Sequence, residues 1–134
     1  CDTRTVLVVE VLEGQCRVLE QRTGLHTNHY LHEDFIAGDR LNVFARNSSL
    51  RRLEAARAFI EQPEIDAHSC FELFSNAPIC VKGNGDIRKE RTVAAVVMRP
   101  AHADLQLRCG DPSLSETTSY ALHRPERRRS LRGN

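Results

Sequence analysis

The order of its local patterns makes this chain α+β. Strand-like runs open it, two helical segments fill the middle and strand-like runs close it, with none of the βαβ alternation that builds a parallel sheet. At 134 residues it has the size of one ordinary domain, which predicts a single core over residues 1–122 and a short tail at 123–134.

Residues 5–12 are β-branched and apolar almost throughout and stop at Glu13-Gly14, which predicts a buried strand and a turn. Residues 16–20 supply its hairpin partner, and Gln21-Arg22-Thr23-Gly24 turns the chain into residues 25–31, so the first thirty residues read as a β-meander. From His32 to Asn47 the periodicity breaks up, which predicts a long loop over the core. Ser48 and Ser49 are N-cap types, and Leu50, Leu53, Ala56 and Ile60 recur at helical spacing opposite Arg51, Arg52, Glu54 and Arg57. That helix ends before Pro63.

A second helix is expected over residues 65–74, with Phe71 and Phe74 on its buried face, ended by Asn76-Ala77-Pro78. Residues 79–81 read as a short strand. Lys82-Gly83-Asn84-Gly85-Asp86 is a turn; it lacks the lysine and the following helix of a phosphate-binding loop. Residues 91–98 read as a second buried strand stopped by Pro100, with residues 104–109 as its partner and residues 118–122 as an edge strand.

The formal net charge is +1, so the overall field gives no reason to expect nucleic acid or an anionic membrane as partner. Arg124, Arg127, Arg128, Arg129 and Arg132 make the tail basic, but without interleaved aromatics it reads as a flexible solvated end. No apolar run approaches the roughly 20 residues needed to cross a bilayer. Cys1, Cys16, Cys70, Cys80 and Cys109 are odd in number and scattered, which fits reduced thiols and a cytoplasmic protein better than a disulfide framework.

The densest cluster of chemistry is Leu25-His26-Thr27-Asn28-His29-Tyr30-Leu31. His26, His29 and His32 invite a zinc reading, a metal-dependent hydrolase with Glu33 or Asp34 as further ligand or base. In a strand, however, 26 and 32 share a face and 29 lies opposite, and helical spacing spreads the three over more than half a turn. Neither geometry converges them, so no metal and no cofactor is expected.

Residues 26–31, the segment Ser48-Ser49-Leu50-Arg51-Arg52, the pair Ile79-Cys80 and the run at 91–98 resemble, in that order, the C-terminal half of the acyl-coenzyme A:6-aminopenicillanic acid acyltransferase-like family, within the N-terminal nucleophile hydrolases. The resemblance runs from about residue 5 to residue 122. It implies an αββα sandwich, incomplete in this chain, and amide-bond chemistry: hydrolysis of a small amide, or acyl transfer between a thioester and an amine. In that family an N-terminal cysteine freed by autoproteolysis attacks the carbonyl with its own α-amine as base. Asn28 is then the expected oxyanion donor, and Arg52, Arg91 and His29 are expected to contact substrate.

The chain departs from the family pattern in having no tryptophan, and hence no Asn-Trp-Asp-like block, between Cys1 and the Thr27-Asn28-His29 stretch. Cys1 is therefore either the nucleophile of a shortened enzyme, or a start just before the strand with the nucleophile on a missing N-terminal segment or partner chain. An α-amine of pKa near 8 beside a thiol of about 8.5 makes the first chemically feasible. The residues also leave open a bland alternative, a non-catalytic binding or dimerising domain in which Asn28 caps a turn and Arg51, Arg52 and Arg91 are solvated.

Overall fold

A computed structural model describes residues 5–121; Cys1 and the basic tail lie outside that range. Among the described residues two antiparallel sheets and three α-helices make the architecture α+β. The first sheet is a hairpin of β1 (Val6–Leu12) and β2 (Gln15–Gln21), paired from Val6 with Gln21 to Leu12 with Gln15. Glu13 and Gly14 both take positive φ, 50° and 80°, the two-residue turn whose twist suits a hairpin.

Three helices follow. α1 (Glu33–Ile36) is capped by His32 Nδ1, which accepts from Asp34 N. α2 (Val43–Ile60) is capped by Asn42, whose side chain accepts from Ala45 N. α3 (Ala67–Ser75) opens on a reciprocal box, in which Asp66 accepts from Ser69 N and the Ser69 hydroxyl accepts from Asp66 N. The second sheet is β3 (Ala94–Arg99), β4 (Asp104–Cys109) and β5 (Thr118–Ala121), with β4 in the middle and a short 3-10 turn, Pro100–His102, between β3 and β4. The buried apolar residues among those described are Val8, Phe35, Leu53, Phe71, Cys80 and Ala95; Arg17 of β2 lies over the Phe35 ring, and Phe71 and Ala95 belong to α3 and β3, which pack together. Among the described residues no helix is long and apolar enough to cross a membrane.

Several sequence expectations are corrected. Residues 25–31 form no third strand, so there is a hairpin and not a meander. The expected loop at 32–47 holds α1 and the first turn of α2, because Asn42 caps that helix and not Ser48 or Ser49. Residues 79–81 join neither sheet; Val81 instead exchanges bonds with Thr92, donating to its Oγ1 at 2.9 Å and accepting from its N at 2.8 Å. β3 starts at Ala94 and not at 91. β1 is buried on one face only: Val8 and Glu10 point inward while Leu7, Val9 and Val11 point to solvent, because a two-stranded sheet has one layer to lie on.

Candidate functional site

The stretch around Asn28 is held by side chains in place of a neighbouring strand. Five consecutive amides are accounted for. Asn28 N and His29 N donate to Ser49 Oγ at 2.8 and 3.2 Å, and Tyr30 N donates to Asp39 Oδ2 at 3.4 Å. Leu31 N and His32 N donate to Glu10 Oε1 and Oε2 at 2.6 and 2.9 Å. An extended segment with no ladder partner has to satisfy its N–H groups elsewhere, and three acceptors on α2, on β1 and in the α1–α2 connection do so here. The fit is tight: a Cβ on Gly24, where the segment begins, would stand 2.8 Å from Val8 Cγ2.

Ser49 is the least accessible of the three, at 0% exposure. With both lone pairs engaged by the amides of Asn28 and His29, its hydroxyl donates to Thr27 Oγ1 at 2.9 Å, and His29 Nδ1 stands 2.8 Å from the same oxygen. Thr27 in turn donates to Ser49 O at 3.2 Å. Ser49 therefore sits beside a histidine as a bracket; it touches no cleft and has no spare lone pair with which to attack a carbonyl. Burial first, and then the Arg46 cation, hold the His29 imidazole below its ordinary pKa, which favours its neutral form.

Glu10, 4% exposed, also receives His26 Nε2 at 2.7 Å. Burial pushes its pKa up, but the N–H groups of Leu31, His26 and His32 outweigh that and hold the carboxyl below its usual range. Asp39 is held low chiefly by Leu41 N–H, against the effect of burial, with Tyr30 N–H and the Arg46 guanidinium at 3.1 Å adding to it.

Asn28 itself is exposed, and its orientation is set by chemistry. Arg52 Nη2 donates to Asn28 Oδ1 at 3.0 Å. A guanidinium has donors only, so the atom facing it is the amide oxygen and the Nδ2 protons point away from Arg52, free for another acceptor. The Asn28–Arg52 pair, with Phe74 and Ile79, belongs to the walls of two adjoining clefts of about 570 Å³ each. The first is polar at its mouth, with Ser48, Glu90, Arg91 and Thr92; the second is lined mainly by Leu25, Ala56, Leu73 and the shared Phe74 and Ile79. Arg52 Nε is buried without a partner, and among the described residues neither Arg52 nor Arg91 meets a carboxylate.

Of the candidates read from sequence, Asn28, Arg52 and Arg91 line one cleft. His29 does not: it is 5% exposed and turned onto Ser49, which makes it part of the scaffold and not a substrate contact. Cys1 lies outside the described residues. The three imidazoles diverge, His26 to Glu10, His29 to Ser49 and His32 to the Asp34 amide, and no metal-binding group of three is found among the described residues. The glycine turn at 83–86 spends its own groups internally, Asp86 N donating to Asn84 Oδ1 at 3.0 Å.

Sequence reading missed Ser49, Glu10 and Asp39 as site residues. Glu10 carried a signal: it is the one charge within β1 and falls on the same parity as Val6, Val8 and Leu12, so the covered face had to contain partners for a carboxylate. Compared with known protein families, with characterised proteins and with solved structures, the chain matches none.

Proposed function

We propose that this chain carries the oxyanion and substrate-binding part of an amide hydrolase or acyltransferase of the N-terminal nucleophile type, built on an αββα sandwich that the chain completes only in part. The observation that carries the reading is the Asn28 amide, its oxygen engaged by Arg52 and its N–H groups turned outward from that bond at the junction of two clefts. A carbonyl seated there would receive a donor that needs no reorganisation as negative charge develops, the arrangement that contributes about 3 kcal/mol to acyl-transfer transition states. Arg52 and Arg91, set against the single carboxylate of Glu90, leave the first cleft net positive for an anionic substrate group, and the second takes an apolar one.

The nucleophile in this reading is a thiolate, from Cys1 or from a partner chain or preceding segment. Cys16, Cys70, Cys80 and Cys109 line neither cleft. That same observation favours a second reading, a non-catalytic domain that binds a small anionic ligand in the clefts. Assays for amide hydrolysis and for acyl transfer from a thioester, on the full protein before and after thiol alkylation, separate the two. Turnover abolished by alkylation supports the enzyme; ligand binding without turnover supports the binding domain and ends the catalytic reading.

A further inference from the structure

The outer face of the hairpin is not that of a finished surface. Leu7, Val9 and Val11 on β1, and Val18 opposite Val9 on β2, are each more than half exposed, and Cys16 lies among them opposite Val11. The two edges of the hairpin are unlike. β2 offers Gln15, Arg17, Glu20 and Gln21, the polar and charged types that keep an edge strand from pairing, whereas β1 reads Val6-Leu7-Val8-Val9-Glu10-Val11-Leu12 and its single charge points inward.

The register says which main-chain groups are on offer. The two-residue turn closes on Leu12 and Gln15, so alternate pairs back to Val6 and Gln21 carry the cross-strand hydrogen bonds, and the N–H and C=O of Leu7, Val9 and Val11 point away from β2. The Tyr30 hydroxyl, donating to Val11 O at 2.9 Å from outside the hairpin, agrees with that phase. Leu7 and Val9 have no such partner among the described residues.

The chain as a whole also exposes more area than a compact monomer, at Phe44, Ile87 and Leu114 as well as on the hairpin. The chain exposes 10910 Å², against about 7,100 Å² for a compact monomer of its mass. Counting the residues outside 5–121 at the unfolded-chain value, about 3,000 Å², and the remaining mass of roughly 13 kDa as compact, about 6,400 Å², leaves about 1,500 Å² in excess. One partner in a standard interface contributes about 800 Å².

We propose that the β1 edge pairs antiparallel with β1 of a second copy of this chain, joining two hairpins into one four-stranded sheet about a twofold axis. Leu7 of one copy stands opposite Val9 of the other, which exchanges four main-chain hydrogen bonds and leaves the Tyr30–Val11 contact undisturbed. A second copy is the occupant that fits: an ungated apolar strand is self-complementary in an antiparallel twofold pairing, and a net charge of +1 sets up little repulsion between copies. The proposal does not rest on the catalytic reading.

The test is the mass of the full chain by sedimentation equilibrium up to about 100 μM, a hundredfold above a micromolar Kd, beside Val9→Lys and Val9→Pro. Val9 points outward and its N–H is unbonded in the single copy, so neither change touches the packed face. A wild-type dimer, and monomers with unchanged circular dichroism for both variants, is the expected result. A wild-type chain that stays monomeric, including one that takes up a strand from a different polypeptide, overturns the proposal. A dimer that survives both substitutions also overturns it.

Discussion

Replacing Ser49 by alanine removes one hydroxyl, which accepts from two consecutive amides and also contacts Thr27 Oγ1 and His29 Nδ1. His29 N is buried and loses its partner outright, at a cost of about 1–3 kcal/mol; Asn28 N is partly accessible, and its lost bond adds about 1 kcal/mol. Alanine is the better helix former, which returns about half a kcal/mol in the middle of α2. Ser49→Ala should therefore destabilise the fold by about 1.5–3.5 kcal/mol, read as a lower midpoint in urea with an unchanged slope. Ser48→Ala is the internal control: same residue type, same helix, one position away, and no hydrogen bond to the Asn28 segment, so it should shift stability by less than about 0.5 kcal/mol. Equal effects from the two serines would refute the bracket.

Three further outcomes follow from the same geometry. Glu10→Gln keeps the shape but turns an NH2 toward either the Leu31 or the His32 amide, and should cost about 1–3 kcal/mol by urea denaturation. On acidification the wild-type protein should lose stability in two stages. His29 and Glu10 both have folded pKa values below their ordinary ones of 6.5 and 4.5, so the unfolded chain takes the proton first in each case; the contribution of each is complete above its ordinary value and lost as pH falls toward its folded one. Urea midpoints measured from pH 7 to pH 3 should decline below about 6.5 and again below about 4.5, and Glu10→Gln should make the second decline shallower, leaving the part that Asp39 and the other aspartates held below 3.8 contribute. Arg52→Met removes a guanidinium whose buried Nε has no partner, and should leave thermal stability unchanged or raise it by up to about 1 kcal/mol while lowering turnover, since Asn28 is then free to rotate. A marked loss of stability in that variant would mean that Arg52 is structural.

The α+β class was legible because each strand and helix carries its own period, and the hairpin, α3 and the β3–β4 pair stand close to where those periods place them. The start of α2 was misread for a physical reason: Asn42, Ser48 and Ser49 are all capping types, and only the tertiary structure decides that Ser49 spends its oxygen on the backbone of another segment. Residues 25–31 look like a strand because strand propensity measures fitness for an extended backbone, which this segment has; what it lacks is a neighbouring ladder, and no local pattern reports that its five amides go to Ser49, Asp39 and Glu10. Outward valines on β1 read as core for a related reason, since β-branched residues mark strands whichever face is covered. Asn28, Arg52 and Arg91 could be named from sequence, but their convergence on one cleft could not, because 24 and 63 positions separate the two arginines from Asn28.

The most direct test of the central claim is the kcat of Asn28→Asp beside wild type on an amide and a thioester substrate. Aspartate keeps an oxygen for Arg52 and so keeps the local structure, but it has no N–H to offer and sets a negative charge beside the developing oxyanion. A fall in kcat of about 10²–10³-fold with an unchanged urea midpoint is the outcome expected of a lost oxyanion donor. Undiminished turnover by the aspartate variant would contradict the account.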